Sequence, residues 1–325
     1  MEYVKLGESD LKVSAIGLGL WQVGTNSWGW GKTYSREESI SAIHRALDLG
    51  LNLFDTAEIY GMGLSEKVLG EALRDRRDEA IISDKVWPTH AWAGGVINAA
   101  KKSLQRIGTR YIDLYQIHWP NPIIPLGETM RGMQELHDAG LIHYVGVSNF
   151  GLNRVRRARA QLTSAKLVSN QVAYNLIQNG PSEKLLPHFR KENLSIIAYS
   201  PLAQGLLSGK YTPGIPPKTG IRRFNPLFSP TNMRRVEGLI EVLREISLAR
   251  GMTVSQVALN WLIRDERVVA IPGAKTAEQV DEVAGAAGWR LTDSELLMIE
   301  EALAILKIEY LKSIPRMLLR ALFRI

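Results

Sequence analysis

Four polar side chains of types that serve carbonyl reduction follow three consecutive apolar runs of the chain. Asp55 and Tyr60 come after the first run. Lys85 ends the second run, and His118 directly follows the third. Addition of a hydride to a C=O bond makes an alkoxide, which needs a proton donor and a group that stabilises its charge. The four residue types together therefore indicate reduction of a carbonyl group.

Each of these side chains has a distinct expected role. A free tyrosine has a pKa of ~10, and a nearby ammonium lowers that value. We expect Tyr60 to donate the proton and Lys85 to lower the pKa of Tyr60. Asp55 would keep Lys85 charged and in place, while His118 would orient the substrate oxygen. Any one of these residues alone is usually a structural ion pair or a packing residue, so only the combination indicates chemistry.

Short apolar runs alternate with amphipathic segments along the chain, as in repeated βαβ units. The predicted strands are Ala15–Leu20, Leu51–Asp55, Ala80–Val86, Tyr111–Ile117, Ile142–Val147, Leu167–Val172, Leu194–Tyr199 and Val268–Ile271. The predicted helices between them are Ser35–Leu49, Ser65–Arg74, Ala93–Ile107, Gly127–Ala139, Leu152–Gln161, Glu183–Lys191, Arg234–Arg250 and Thr276–Ala286. This alternation favours an α/β fold, a closed (β/α)8 TIM barrel, over an open doubly wound sheet. Catalytic groups of such a barrel lie at the carboxyl ends of its strands, where the four side chains would meet.

Three segments fall outside the repeated units. Met1–Val13 is expected to form a β-hairpin, and the Gly- and Pro-rich stretch Gln204–Asn232 a long loop after the seventh strand. An extra C-terminal helix is predicted at Asp293–Leu306. The expected organisation is one barrel domain over residues 1–306 and a basic amphipathic tail over 307–325. That tail would pack on the barrel or on another subunit, with contact to a membrane surface and disorder as the alternatives. The oligomeric state stays open.

Composition limits the classes of protein to consider. Of the 325 residues, 45% are hydrophobic and 22% are charged, as in globular proteins. The lack of cysteine excludes disulfides, cysteine-ligated metals, iron–sulfur clusters and a cysteine nucleophile. Four of the seven net positive charges lie in residues 307–325, so no nucleic-acid partner is expected. The charged start of the chain and the lack of a ~20-residue apolar run predict a cytoplasmic protein.

Eight short motifs occur in a fixed order along residues 3–303. They are Gly17-Leu-Gly-Leu-Trp21, Phe54-Asp-Thr-Ala-Glu-Ile-Tyr-Gly61, Lys85, Gln116-Ile-His-Trp-Pro120, Gly146-Val-Ser-Asn-Phe150, Asn170-Gln171, Tyr199-Ser-Pro-Leu-Ala-Gln-Gly205 and Ile271-Pro-Gly-Ala-Lys275. The order and spacing of these motifs resemble those of the aldo-keto reductase family. The resemblance includes members similar to potassium channel β-subunits and to bacterial oxidoreductases. The resemblance implies a (β/α)8 barrel that reduces aldehydes and ketones with NADPH. It places the family's catalytic tetrad on Asp55, Tyr60, Lys85 and His118.

The same resemblance implies where the cofactor would bind. The implied contacts are Gly19, Leu20, Trp21, Asp55, Ser148, Asn149, Gln171, Tyr199, Ser200, Leu202, Gln204, Gly205, Lys210, Gly273, Lys275, Gln279 and Glu282. Among them, Ser148, Asn149 and Gln171 would bind the nicotinamide amide, and Tyr199 would stack on its ring. Ser200, Leu202, Gln204 and Gly205 would hold the pyrophosphate, and Lys210 would face phosphate. The positions matching the adenosine end are Gly273, Lys275, Gln279 and Glu282.

The adenosine end differs from many family members. Gly273-Ala274 stands where a Lys-Ser pair is usual, and Gln279 replaces a usual arginine. The contact to a 2′-phosphate therefore stays open among Lys275, Arg222 and Arg223. NADPH is expected rather than NADH.

Tryptophans cluster after the predicted strands. Trp21, Trp87 and Trp119 lie beside the tetrad in sequence and are expected to line the substrate pocket. Aromatic walls suit apolar compounds, which favours aromatic or medium-chain aldehydes over free sugars. No metal site is expected, because the strand ends carry a single histidine.

Two other functions remain possible from the sequence. Ser208-Gly-Lys-Tyr211 and Gly214-Ile-Pro-Pro217 resemble segments of potassium channel β-subunits, so a cofactor-binding sensor with slow turnover is an alternative. The second alternative is a metal-dependent barrel hydrolase. Such an enzyme would need several metal ligands at the strand ends, which carry a single histidine.

Overall fold

A short antiparallel hairpin covers one end of the molecule. The structure, a computed structural model, describes residues 1–217 and 220–309. Strands β1 (Tyr3–Lys5) and β2 (Lys12–Ser14) form the hairpin predicted from the sequence. Gly7 in its turn has a φ of +58°, and a Cβ there would lie 2.3 Å from Val168 O. The turn therefore packs directly against the barrel, an approach that requires glycine.

Eight parallel strands form one sheet in which each strand pairs with the next along the chain. They are β3 (Leu18–Gly19), β4 (Leu53–Asp55), β5 (Ile81–Val86), β6 (Ile112–Ile117), β7 (Ile142–Ser148), β8 (Leu167–Ala173), β9 (Ser195–Tyr199) and β10 (Val268–Ile271). The sheet closes through hydrogen bonds from Gly17 N to Ala270 O, at 2.8 Å, and from Ala270 N to Ala15 O, at 3.0 Å. The predicted TIM barrel is confirmed.

Apolar side chains fill the amino-terminal end of the barrel. Leu6 and Val13 of the hairpin region pack in one buried cluster with residues near the start of the strands. Those residues are Leu53, Leu114, Val168, Ile197 and Val269. Because this end is plugged, the carboxyl ends of the strands form the end where a site can open.

Helices surround the barrel. They are α1 (Arg36–Asp48), α2 (Leu64–Ala72), α3 (Ala93–Ile107), α4 (Leu126–Asp138), α5 (Leu152–Arg159), α6 (Gly180–Lys184), α7 (Leu186–Glu192), α8 (Pro230–Arg250), α9 (Val254–Ile263), α10 (Ala277–Ala284) and α11 (Asp293–Ile305). Ser35, Thr253 and Thr292 each cap a helix in a reciprocal capping box, at the starts of α1, α9 and α11.

Helix α9 was not predicted, and α8 begins four residues before its predicted start. Nearly every residue of α9 is buried, so the segment lacks the broad polar face that marks a surface helix. Helix α8 begins at Pro230, capped by Ser229, where the sequence was assigned to the long loop.

The long loop after β9 contains short 3-10 turns at Ala203–Ser208, Ile221–Phe224 and Pro226–Phe228. After α11, the chain runs along α8: Asn232 Nδ2 donates to Glu309 O at 2.8 Å. The rest of the predicted basic tail, residues 310–325, lies outside the described residues. In the described part of the chain, no helix is both long and apolar enough to cross a membrane.

Candidate active site

Asp55 and Lys85 form a buried ion pair at the carboxyl ends of β4 and β5. Lys85 Nζ donates hydrogen bonds to Asp55 Oδ1 at 2.5 Å and to Thr56 O at 2.7 Å. Lys85 is 0% exposed. Separation of such a pair would leave a charge without a partner and without water, which is strongly unfavourable. The pair therefore holds the ammonium at a fixed point inside the barrel.

The second carboxylate oxygen of Asp55 is held by neutral side chains. Oδ2 accepts hydrogen bonds from Gln171 Nε2 at 2.7 Å and from Ser83 Oγ at 2.9 Å. Gln116 Nε2 donates to Ser83 Oγ at 2.7 Å. Ser83 and Gln116 were not identified as site residues from the sequence. Strand alternation is the signal that could have found them, because each lies two residues before a predicted catalytic residue and so on the same face.

Tyr60 lies beside this pair. Its hydroxyl is 3.4 Å from Lys85 Nζ, and its ring meets the ring of His118 edge-on, with 5.6 Å between centroids. The predicted lowering of the Tyr60 pKa is wrong. Burial, followed by the charges of Asp55 and Asp84, raises the pKa of Tyr60 well above its usual value. The physical reason is that removal of the phenol from water disfavours the charged phenolate, and the two nearby carboxyl groups disfavour it further.

The turn that carries Tyr60 depends on glycine. Tyr60–Gly63 is a 3-10 turn in which Gly61 has a φ of +56°. A Cβ on Gly61 would lie 2.7 Å from the Cα of Gly24. Close contact between this turn and the loop after β3 therefore sets the position of the Tyr60 backbone.

His118 is buried and flanked by aromatic rings. Trp87 meets it edge-on with 5.1 Å between ring centroids. Burial, and then the charge of Lys85, lowers the pKa of His118 well below its usual value. The imidazole is therefore neutral near pH 7, and its Nδ1 has no hydrogen-bond partner among the described residues. A neutral imidazole can donate one hydrogen bond to a substrate oxygen.

The three predicted pocket tryptophans are all half-buried. Trp87 contacts His118, and Trp119 directly follows it. Trp21 meets Trp28 edge-on at 5.0 Å between centroids. Apolar surface is thus available at the rim next to Tyr60 and His118.

Glu58 joins two segments of the rim and was not identified from the sequence. Its Oε1 accepts a hydrogen bond from Trp87 N at 2.6 Å and lies 3.0 Å from His90 Nδ1. Its place two residues before Tyr60 in the longest motif is the only sequence signal for it. Glu58 therefore fixes the backbone that presents Trp87.

The residues assigned to the nicotinamide form one connected group at the ends of β7, β8 and β9. Asn149 Nδ2 donates to His118 O at 3.2 Å and to Ser148 Oγ at 2.9 Å. Tyr199 Oη donates to Asn149 Oδ1 at 2.9 Å. Gln171 ties this group to the ion pair through Asp55. The structure thus brings these residues next to His118.

An unusual backbone follows Tyr199. Ser200, Ala203 and Gln204 have left-handed φ values of +49°, +48° and +58°, and Gly205 follows at +95°. Non-glycine residues seldom adopt this conformation, and runs of it are concentrated at functional sites. The segment lies where the pyrophosphate was expected.

Three cations, Lys275, Arg222 and Lys210, lie close together where the phosphates and the adenosine of the cofactor are expected. Lys275 Nζ donates to Trp28 O and lies 4.7 Å from the centroid of the Tyr34 ring. Arg222 Nε donates to Gln204 O at 2.7 Å, and its guanidinium lies 4.5 Å from the Trp28 ring centroid. Burial, then Arg222 and Lys210, lowers the pKa of Lys275 to about 8.

None of these three cations forms an ion pair within the described residues. Arg223 is exposed and packs on Phe224 instead. The remaining predicted contacts surround the cations: Gln279 Oε1 accepts from Lys275 N at 2.9 Å, and Glu282 Oε1 from Thr253 Oγ1 at 3.1 Å. Lys275 and Arg222, which are half-buried and have no ion pair among the described residues, are chemically suited to phosphate groups.

Glycines and apolar residues complete the predicted set. Gly19 and Gly273 have no room for a side chain. A Cβ on Gly19 would lie 2.9 Å from Ile271 O, and one on Gly273 would lie 2.8 Å from Gln22 Oε1. Leu20 is buried in the hydrophobic core, and Leu202 packs against that core. Over residues 1–217 and 220–309, no group of three or more histidine or acidic side chains is placed to hold a metal ion.

A barrel with a Tyr–Lys–Asp–His group at its open end and a cationic cleft beside it has the features of a nicotinamide-dependent oxidoreductase. The residues fit such a cofactor, since they offer polar side chains at one end and unpaired cations at the other.

Comparison with known proteins assigns the family. The model of the aldo/keto reductase family matches residues 15–304. An uncharacterized oxidoreductase of Mycobacterium tuberculosis is 46% identical over 285 residues, 86% of each chain. The chain belongs to the aldo/keto reductase family, and it is an NAD(P)H-dependent oxidoreductase that acts on carbonyl compounds.

Solved structures agree with this assignment. An aldo-keto reductase from Klebsiella pneumoniae, in complex with NADPH, is 33% identical with a TM-score of 0.75, covering 92% of this chain and 94% of its own. The glycerol dehydrogenase from Gluconobacter oxydans is 29% identical with a TM-score of 0.84, covering 96% and 98%. Both solved structures share the fold of this chain, and the Klebsiella structure contains NADPH.

Proposed function

We propose that the protein reduces aldehydes and ketones to alcohols with NADPH, and that Tyr60 is the proton donor. The observation that carries the proposal is the placement of the Tyr60 hydroxyl 3.4 Å from Lys85 Nζ, with His118 alongside. When bound, the reduced nicotinamide supplies a hydride to the carbonyl carbon. The C=O π electrons then move to oxygen, which accepts the phenol proton and becomes a hydroxyl.

Each neighbour of Tyr60 supports that proton transfer. The raised pKa keeps Tyr60 protonated at neutral pH, so the proton is in place before the alkoxide develops. The phenolate left behind faces the Lys85 ammonium, which stabilises it. Neutral His118 donates a hydrogen bond to the substrate oxygen and orients it.

Residues of the chain would hold the cofactor at both ends. Ser148, Asn149 and Gln171 would bind the carboxamide, and Tyr199 would pack on the ring. The hydrogen bonds among these side chains fix their positions in advance, which lowers the entropy lost on binding.

The cationic cleft supports NADPH over NADH. Lys275 and Arg222 lie together without an acidic partner among the described residues, whereas Arg223 is exposed. We assign the 2′-phosphate to Lys275 and Arg222. Phosphate binding would relieve the repulsion that lowers the pKa of Lys275.

The tryptophan rim supports apolar substrates. Trp21, Trp87 and Trp119 offer half-buried aromatic surface, and Trp87 contacts His118. We propose that aromatic and medium-chain aldehydes are reduced with a higher kcat/KM than free sugars.

The decisive test is NADPH oxidation with a panel of aldehydes, ketones and sugars, with wild type and Tyr60→Phe side by side. Turnover that falls by about 10²–10⁴-fold in Tyr60→Phe, with NADP+ affinity retained, supports the proposal. Equal turnover in both proteins contradicts the role of Tyr60. Tight cofactor retention without turnover of any carbonyl would favour the cofactor-sensing function instead.

A further inference from the structure

We propose that a cavity between α5 and the loop after β6 is a second binding site, for a small organic anion such as an aryl phosphate. The cavity has a volume of about 350 Å³, which lies in the range of small-molecule pockets. It goes beyond the proposed carbonyl reduction, because none of the candidate catalytic or cofactor residues lines it.

The arginines of α5 divide into two pairs with different surroundings. Arg156 forms an ion pair with Glu192 at 2.5 Å, and Arg159 forms one with Glu8 at 2.8 Å. Arg154 and Arg157 line the cavity instead.

Neither Arg154 nor Arg157 forms an ion pair among the described residues, and the cavity lining contains no acidic residue. Their spacing of three places both on one helix face, toward the cavity. Two guanidinium groups aimed at a space without acids favour an anionic occupant. Phosphate suits them because each guanidinium can bind two of its oxygens.

The opposite wall of the cavity is rigid. Asn121 Nδ2 donates to Pro88 O at 2.9 Å, while its Oδ1 accepts from the amides of Ile123 and Ile124 at 2.7 and 2.8 Å. Prolines at positions 120, 122 and 125 fix further backbone angles of the same loop. The wall is therefore formed before a ligand binds, which favours affinity.

Apolar surface lies between the two charged groups and the loop. Ile117 and Phe150 contribute to the lining, and the Arg154 guanidinium lies 5.8 Å from the centroid of the Phe150 ring. An occupant that combines an anionic group with an apolar ring matches both parts of the surface. Inorganic phosphate alone would satisfy only the arginines.

The cavity shares a wall with the candidate active site. Phe150 directly follows Asn149, and Pro120 is two residues after His118. Asn149 Nδ2 and His118 O are themselves joined at 3.2 Å. The occupant would therefore lie behind the segments that carry these two residues, separate from the space beside Tyr60.

Binding of phenyl phosphate to the NADP+-saturated protein, measured by calorimetry, tests the proposal. Saturation with NADP+ occupies the phosphate sites of the cofactor cleft, and phenyl phosphate has no carbonyl to reduce. We expect saturable binding to wild type, and at least about tenfold weaker binding to the double variant Arg154→Gln, Arg157→Gln. Arg156→Gln is the matched control on the same helix and should bind as wild type does.

A steric variant keeps the test valid if the charge variant folds poorly. Gly127 lines the cavity, and a Cβ there would first meet Gln161 Oε1, the end of a flexible side chain, at 3.3 Å. Gly127→Met should fill the cavity and weaken phenyl phosphate binding to a similar extent, with both arginines present. No binding to wild type, or equal binding to wild type and both variants, overturns the proposal. Failure of carbonyl reduction would leave this binding result unaffected.

Discussion

The carboxylate of Asp84 accepts a hydrogen bond from the backbone amide of Lys85 at 2.8 Å, although the two side chains lie on opposite faces of β5. Lys85 reaches Asp55 inside the barrel. Asp84 is fully buried on the outer face, near Glu66, which pairs with Arg106. Burial, and then the charge of Glu66, raises the pKa of Asp84 well above its usual value. The wall of the barrel thus separates Asp84 from the ion pair of Asp55 and Lys85.

Replacement of Asp84 by asparagine should stabilise the protein at neutral pH. A carboxyl group with a raised pKa in the folded state contributes stability below its unfolded pKa of ~3.9 and loses it as pH rises toward the folded value. Asparagine cannot ionise, so the gain of Asp84→Asn over wild type should grow as the pH rises above about 4, reaching on the order of 1 kcal/mol. Thermal unfolding across that pH range measures it, with the exposed Asp78→Asn as control. A difference in Tm that stays constant with pH would contradict this account.

Removal of Lys85 should affect stability far more than removal of the Tyr60 hydroxyl. Lys85→Met leaves Asp55 buried without its counter-ion, which is expected to lower the free energy of unfolding by about 3–5 kcal/mol. Tyr60→Phe removes an oxygen whose contact with the ammonium is long, at 3.4 Å. Its effect on the free energy of unfolding should therefore stay within about 1 kcal/mol. Urea unfolding of the two variants gives the comparison. Equal destabilisation would show that the phenol, too, anchors the pair.

The barrel and the central site group follow from simple rules that act over short distances in sequence. Strand alternation and the positions of strand ends predict that Asp55, Lys85 and His118 lie close together. In the structure these three side chains lie at the same end of the barrel. The same rule explains why Asp84 turns away from Lys85. Helix α9 was missed because burial on all sides removes the polar face that reveals a helix.

Properties that depend on distances between remote segments of the chain could not be predicted from the sequence. The pKa of Tyr60 depends first on burial and then on the charges of Asp55 and Asp84, and the degree of burial is not visible in a motif. The choice among Lys275, Arg222 and Arg223 depends on how the long loop folds against Trp28. Such questions require coordinates.

His118 should leave no trace in the pH dependence of the reaction near neutrality. Burial and the Lys85 charge hold its pKa well below the usual ~6.5, so the imidazole stays neutral across pH 6–8. We expect kcat/KM for NADPH-dependent reduction to show no step with an apparent pKa between about 6 and 7. A pH profile of initial rates checks this, and the exposed His90 serves as control through His90→Gln. A step near 6.5 that persists in His90→Gln would mean that His118 takes up a proton.

Lys275 should discriminate between the two nicotinamide cofactors. Burial, and then repulsion by the neighbouring Arg222 and Lys210, lowers the pKa of Lys275 to about 8. Lys275→Met should raise the KM for NADPH by about 10-fold or more, the loss of one charge-assisted hydrogen bond, and leave the KM for NADH nearly unchanged. Arg223→Gln, at the exposed neighbouring position, should change neither value. If Lys275→Met raised both KM values equally, the residue would bind a phosphate common to the two cofactors, and the 2′-phosphate would then fall to Arg222 alone.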